Sequence, residues 1–565
     1  MTNAALSDQF TLLSKLMDIH GENSFKVKNY SIAAYNIDKT MLPFANMTQQ
    51  EIYNTKGIGS SIGSKIEELL ATQQLAVLEQ LIGNTPLGIL EMMHIKGLGP
   101  KKIITIWKEL EIETIGELLY ACNENRLLLY KGFGAKNQQA IKESIEFYLN
   151  AKGSFLYSQV VAIEPLLTSF LTQIFSEATI QITGTYLRQI EVIDFVEYVV
   201  HYPTDVVLAK MATIENIQLL KNENDILHYK LEEIPLKICI YPCTEISSTE
   251  QLFNTSGAPE FVTAFKNTYK NIEYRSSPNN TDTIIFEQAN LQYVPPYLRD
   301  TASILNLAQL HKIPKPITIN DIKGMVHNHS NWSDGTNTIA ELAEACIAKG
   351  WEYLVISDHS KSAYYANGLS EQRIKEQHIE IELLNKKYAP FKILKSIECD
   401  ILNDGSLDYS DSILSTFDMV IASVHSNLKM SEEKAMQRLL GAIENPYTTI
   451  LGHLTGRLLL SRPPYPINYD VIIDACASNH VVIELNAHPS RLDMDWRYIQ
   501  QTLAQDVLIS INPDAHNIEG FGVIENGLLA AQKAMVQPHQ NLSSFSLRDL
   551  EEFLYETKER KLEML

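Results

Sequence analysis

The chain has 565 residues, 45% of them hydrophobic and 20% charged, which is too long for one core and ordinary for soluble, folded domains. Its formal net charge of −21, from 47 Lys and Arg against 68 Asp and Glu, excludes broad electrostatic binding to nucleic acid over the whole surface. The N-terminal run MTNAALSDQF lacks the basic-then-apolar pattern of a secretory leader, no apolar run is long enough to span a bilayer, and the six cysteines follow no disulfide or metal-knuckle spacing, so a reducing cytoplasm is the expected location.

Residues 1–150 read as almost wholly helical. Here the charge is nearly balanced, with 14 basic against 16 acidic residues, so a nucleic-acid site is permitted locally. Three phrases recur: Lys56-Gly-Ile-Gly-Ser, Lys96-Gly-Leu-Gly-Pro and Lys131-Gly-Phe-Gly-Ala. In each, Gly57, Gly97 or Gly132 permits a positive-φ turn, and Gly59, Gly99 or Gly134 opens the next helix with its free N–H groups outward. Basic residues follow at Lys65, Lys101, Lys102 and Lys136. Such turns bind phosphate with little side-chain charge. We divide this part at 1–85 and 86–150.

From about Leu156 the text becomes β-rich, with runs at Ile190–Val200 and Leu236–Tyr241 mixed with helices, and residues 151–290 read as one α+β domain. Prolines in Tyr293-Val-Pro-Pro and Ile313-Pro-Lys-Pro mark 291–318 as a connector. Cys239 and Cys243 are the only close cysteine pair and are expected at a strand and its end.

Residues 319–565 alternate strand and helix. Strands are predicted at Gly324–His327, Tyr353–Ser357, Lys392–Glu398, Met419–Val424, Thr449–Gly452, Val481–Leu485 and Val507–Ile511. Helices such as Ile339–Lys349, Glu371–Tyr388, Glu432–Asn445 and Tyr469–Asn479 lie between them. Seven such units predict a parallel sheet closed into a barrel. The strand ends carry His327, His329, Asp334, His359, Glu398, Asp400, His425, His453, Glu484, His488, Asp514 and His516, and ten of the fifteen histidines lie beyond residue 318. In a parallel barrel these ends share one rim. Helix capping explains a single Asp, but not histidines recurring on most strands. His327 and His329, alternate on an extended strand, are expected on one face. The donors outnumber what one four-coordinate ion takes, so two or three divalent ions are expected, with Zn²⁺, Mn²⁺ or Fe²⁺ favoured by the imidazole content. Phosphate-ester hydrolysis is the matching chemistry. Arg457, Arg462 and Arg491 follow strands as candidate phosphate clamps.

The segments Met325-Val-His-Asn-His-Ser-Asn-Trp-Ser-Asp-Gly, Ile356-Ser-Asp-His-Ser, Ser396-Ile-Glu-Cys-Asp-Ile, Ser423-Val-His-Ser, Gly452-His-Leu-Thr-Gly-Arg-Leu-Leu and Asn512-Pro-Asp-Ala-His resemble the polymerase-and-histidinol-phosphatase (PHP) domain. That resemblance implies a trinuclear cluster in a distorted (β/α)7 barrel, with His327, His329, Asp334, His359, Glu398, His425, His453, Asp514 and His516 as the ligands. His488 lies outside these nine and is a candidate substrate contact. The glycine phrases resemble helix-hairpin-helix motifs. Together with Gly21-Glu-Asn-Ser-Phe-Lys-Val-Lys-Asn-Tyr and Tyr293-Val-Pro-Pro-Tyr-Leu-Arg, the order of parts resembles a bacterial family X DNA polymerase with a C-terminal PHP domain. The resemblance implies a multidomain α/β protein with helical DNA-binding domains, a palm and thumb, and a metal-dependent 3′–5′ exonuclease that also processes abasic sites and 3′-phosphates in repair. Its partner would be DNA ends, gaps or nicks.

The palm departs from that family. Its phosphate turn reads Gly184-Thr185, with Arg188 following. Aligned on Gly184, the two metal-binding carboxylates fall at Phe195 and Glu197, and the third at Pro235. We therefore expect a palm that keeps its fold and has lost nucleotidyl transfer. The alternatives are an active polymerase using Asp194, Glu197 and Glu191 in another register, and a small-molecule phosphatase of the histidinol-phosphate kind.

Overall fold

The structure is a computed structural model that describes residues 1–40, 42–150, 153–176, 180–231, 236–274 and 281–563. The chain forms two compact units, Met1–Tyr148 and Leu149–Leu565.

The first unit is all helix, as its sequence predicts. Helices start where the chain supplies a cap: Thr48 and Thr114 each close a capping box with Glu51 and Glu117. The glycine turns have the expected backbone, with φ of +81° at Gly57, +91° at Gly97 and +96° at Gly132. The residue between each glycine pair (Ile58, Leu98 or Phe133) is buried, so each turn is pinned by an apolar plug. That leaves Gly59 and Gly99 as N-caps of the helices Ser60–Thr72 and Pro100–Ile104.

The second unit begins with a short antiparallel pair, β1 (Phe155–Leu156) with β3 (Val192–Ile193), beside a five-stranded mixed sheet. That sheet comprises β2 (Ile180–Thr183), β4 (Phe195–Val200), β5 (Ile217–Glu223), β6 (Ile226–Leu231) and β7 (Lys237–Pro242), in the order β2-β4-β7-β6-β5. Cys239 lies in β7 and Cys243 just after its end. Residues 291–313 are not a free connector. Leu291, Val294, Leu298 and Ile304 share one core with Phe253, Phe261 and Phe286. Arg299 is fully buried there, paired with Asp282 and donating to Ser256 Oγ at 2.7 Å. The prolines shape a packed turn rather than a linker.

The barrel holds β8 (Gly324–Asn328), β9 (Tyr353–Ile356), β10 (Lys392–Asp400), β11 (Met419–Ser423), β12 (Ile450–Leu451), β13 (Val482–Asn486) and β14 (Ile509–Asn512), all parallel and in sequence order. Closure between β14 and β8 is nearly complete, through an Asn328–Ala515 bridge and a 2.9 Å bond from His329 N–H to Ala515 O. Strand side chains alternate between two apolar layers. Leu354, Ile356, Val420 and Ala422 pack outward on helices; Tyr353, Val355, Met419 and Val482 face inward with Leu550 and Leu554. The last helix, Leu547–Glu563, thus plugs the floor, and the polar ends of the strands are left at the opposite rim. Among the described residues, no helix is long and apolar enough to cross a membrane.

Candidate functional site

The nine predicted ligands converge at that rim, and all are buried except the half-buried His425. Glu398, at the end of β10, is their centre. Its Oε1 lies 2.9 Å from His453 Nε2, 3.1 Å from His425 Nε2 and 3.3 Å from His327 Nε2. Its Oε2 lies 3.0 Å from His359 Nδ1 and 3.6 Å from His329 Nε2. Asp334 approaches His359 at 3.4 Å and His516 at 3.5 Å; Asp514 approaches His329 at 3.2 Å. Among these nine residues, three groupings have donor atoms within 4.8 Å of one another: His329, Asp334, His359 and His516; His327, His329 and Asp514; and His359, Glu398 and His425.

The donor chemistry fits divalent cations. His327 Nε2, His329 Nδ1, both His359 nitrogens and Glu398 Oε2 are buried with no hydrogen-bond partner, although buried polar atoms normally have one. Burial raises the pKa of Glu398, but the imidazoles of His425, His327 and His359 outweigh it and hold the carboxyl well below the usual range. Asp334 and Asp514 are held low in the same way, by His359 and His516 and by His327 and His329 respectively. The imidazoles cannot all share this charge. His327 and His359 are raised because carboxylates overcome burial; His329 is lowered by burial first and then by His516 and His359.

Simple alternation does not bring His327 inward. β8 carries a bulge, with two residues (Val326 and His327) between partners that enclose only Val355 on β9, and His327 adopts φ +63°. Val326 already points into the barrel, so the extra residue returns His327 to the same side as His329. Asp514 is also left-handed, at φ +53°. A non-glycine residue held this way costs about 1–3 kcal/mol, which the surrounding contacts must offset.

Further buried polar groups hold these side chains in place. Glu484 Oε1 accepts a hydrogen bond from His327 Nδ1 at 2.6 Å, and its Oε2 accepts from His453 N–H at 2.7 Å. Asp400 faces His425 Nδ1 at 2.5 Å, and Asn486 donates to Asp514 at 3.0 Å. Glu484 and Asp400 are visible in the sequence as strand-end carboxylates, but spacing alone does not separate a ligand from its support. Asp358, one residue before His359, accepts from Ser330, Ser333 and Gln377 and ties the loop after β8.

The candidate clamps separate. Arg457 is buried and donates to Arg491 O, Leu492 O and Asp495, so its guanidinium fastens a loop; the expectation of a phosphate clamp there is withdrawn. Arg462 turns Nε back to Gly456 O at 2.9 Å. Arg491 is buried near the cluster, and after burial its charge is the next cause lowering the His453 pKa. His488 is half-buried, its Nδ1 accepting from Ser490 N–H at 3.3 Å.

In the palm, Gly184 has φ +69°, and the Glu197 carboxylate lies against it: an added Cβ would meet Glu197 Oε2 at 1.8 Å. That carboxylate accepts from Thr185 N–H at 2.6 Å, Thr185 Oγ1 at 3.0 Å and Tyr241 OH at 2.9 Å. Phe195 pairs in register with Lys237, whose ammonium sits 5.3 Å from its ring. Asp194 turns away to Ser154 at 2.6 Å, Glu191 pairs with Arg497 at 2.8 Å, and Arg188 pairs with Asp300 at 3.1 Å. Pro235 lies outside the described residues.

In the first unit, Lys102 Nζ returns to Gly97 O at 3.0 Å and Asn137 makes the equivalent bond to Gly132 O at 3.1 Å. Lys65 stands 6.0 Å over the Tyr30 ring; Lys101 and Lys136 are exposed.

Residues 1–75 match a helix-hairpin-helix domain and residues 326–488 a PHP domain. A probable phosphatase of Thermoanaerobacter sp. is 25% identical over 40% of this chain and 90% of its own length, and one of Caldanaerobacter subterraneus is 30% identical over 26% and 56%. The DNA polymerase/3′-5′ exonuclease PolX of Bacillus subtilis is 30% identical over 95% of this chain and 96% of its own. Identity at that level along nearly the full length of both chains places this protein in the PolX family of DNA polymerase/3′-5′ exonucleases.

Proposed function

We propose that the barrel is a divalent-metal-dependent phosphodiesterase that degrades DNA from 3′ ends and also processes abasic sites and 3′-phosphates, and that the palm no longer transfers nucleotides. The gathering of ligand groups around Glu398 carries the first part. His327, His329, Asp334, His359, Glu398, His425, His453, Asp514 and His516 would hold two or three ions of Mn²⁺, Zn²⁺ or Fe²⁺. Such ions supply a nucleophile from water near neutral pH and offset charge on the phosphoryl oxygens. The chain's own groups orient and select. Glu484 and Asp400 fix the imidazoles of His327 and His425, Arg491 adds fixed positive charge beside His453, and His488 meets the substrate at the rim. The glycine turns at Gly57–Gly59, Gly97–Gly99 and Gly132–Gly134 grip the DNA backbone. A reducing cytoplasm suits the six buried free thiols.

Loss of nucleotidyl transfer is supported by Phe195 at one carboxylate position and by Glu197, whose oxygens are engaged by Thr185 and Tyr241. Two-metal phosphoryl transfer needs several such oxygens directed at the ions. The phosphatase relatives, one of them matched over 40% of this chain, favour a monoesterase as the second reading; the helix-hairpin-helix match weighs for DNA.

Incubation of 3′- and 5′-labelled DNA with Mn²⁺ tests the reading. The wild type should release the 3′ label first, and His327→Ala should release neither. Intact DNA with the wild type overturns the exonuclease, and efficient primer extension overturns the silent palm.

A further inference from the structure

The barrel rim carries an aromatic surface that phosphate hydrolysis itself does not use. After β9, the chain makes a short turn, Tyr364–Ala366, and Tyr364 is 71% exposed. The backbone just before it is pinned by hydrogen bonds. Lys361 N–H bonds Tyr409 OH at 3.0 Å, Ser362 N–H bonds Asp408 at 2.6 Å, and Ser362 Oγ bonds Asp400 at 2.9 Å. Tyr364 meets Tyr365 edge-on at 5.8 Å, and Tyr365 lies 6.5 Å from the His359 ring. The exposed ring is therefore two aromatic steps from a ligand of the cluster.

β9, β10 and β11 are consecutive in the barrel, so their loops stand side by side. On the loops after β10 and β11, Asn403, Asn427, Lys429 and Lys434 line an open cleft. Asn427 donates to Asn403 at 2.9 Å, and buried Arg438 ties both loops through Leu402 O and Ser426 O. Exposed Asp404, Glu432 and Glu433 lie nearby, so positive charge alone would not select a phosphate here. An exposed aromatic ring on one rim loop and polar side chains on the next two are the combination that single-stranded nucleic acid uses, because every base has a stacking face.

We propose that Tyr364 is the stacking platform for the terminal base of a single-stranded DNA end, with the strand continuing across Asn403, Asn427 and Lys429. This rests on the phosphodiesterase reading and adds a residue that positions the substrate.

The test uses the full chain and oligonucleotides ending in either an ordinary or an abasic 3′ nucleotide. The wild type should show a lower KM for the base-bearing end, by on the order of tenfold. Tyr364→Ala should erase that preference, and Tyr364→Trp should restore it; a merely structural role would shift both substrates together. In parallel, a 3′-terminal 2-aminopurine, bound in EDTA, should be quenched by the wild type and Tyr364→Trp but not by Tyr364→Ala. Preference and quenching that survive in Tyr364→Ala overturn the proposal. If the wild type cleaves neither substrate, the phosphodiesterase reading falls while the quenching still decides the stacking.

Discussion

Glu484 shows how one buried side chain governs a site it does not enter. It is fully buried and accepts from His327, His453 N–H and Asn512 at 2.6–2.7 Å. Its bond to His327 Nδ1 holds the ring with Nε2 toward Glu398. Glu484→Gln preserves the shape but replaces one acceptor oxygen with a donor facing existing donors. Losing such a supporting contact lowers metal affinity about 10–100-fold. Titration calorimetry with Mn²⁺ should show that loss in Glu484→Gln with the fold retained; unchanged affinity would remove Glu484 from the site. Glu484 was legible as an acid at a strand end, but its role depends on which imidazole nitrogen it meets.

At the scale of elements, the glycine turns are an ordered test of backbone chemistry. Gly97 is left-handed with open space around it, Gly57 is left-handed with Asn36 Nδ2 2.2 Å from an added Cβ, and Gly99 is extended and open. An alanine in the left-handed region costs about 1–2 kcal/mol. Denaturant titration should therefore find Gly99→Ala the mildest change, at under ~1 kcal/mol. Gly97→Ala should be worse, and Gly57→Ala at least as costly because Asn36 must also move. Equal values for all three would contradict the turn geometry. The final helix offers a pH test. Lys561 buries its ammonium against Thr448 O, and burial, only partly offset by Cys476, lowers its pKa from 10.5 to about 8. Between those values the unfolded chain binds the extra proton, so the burial cost is fully present below about pH 8 and fades as pH rises toward 10.5. The stability of the wild type relative to Lys561→Met should accordingly increase from pH 7 to pH 10 in urea titrations. A constant difference would show that the ammonium is not desolvated.

Across the second unit, a few polar contacts bind palm and barrel, and their burial separates strong from weak. Lys533, from the barrel helix Ile524–Lys533, donates to Arg188 O at 2.6 Å and Tyr297 O at 3.2 Å and pairs with Asp300, all while 5% exposed. Arg497–Glu191 joins the same parts, but the arginine side chain is 49% exposed, so about 1 kcal/mol or less is expected from it. Removing one partner of a buried pair costs about 3–5 kcal/mol. Lys533→Met should therefore lower the unfolding free energy by several times as much as Arg497→Met. If the two are equal, the buried hub does not hold the parts together.

The sequence by itself determined the helical first unit with its three glycine turns, the seven strand–helix repeats and the nine candidate ligand positions, because each depends on local periodicity or on residue types recurring at strand ends. Aligned on Gly184, it also puts Phe195 and Glu197 at the positions where the family resemblance expects carboxylates. Only the tertiary structure decided which side chains these elements bring together. It revealed the β8 bulge that returns His327 inward, the packing of 291–313 into a core, and the engagement of Arg457 by Asp495. The physical reason is the same in each case. Chain spacing fixes the face from which a side chain leaves its strand or helix, but partners distant in sequence decide whether it becomes a ligand, a support or a fastener.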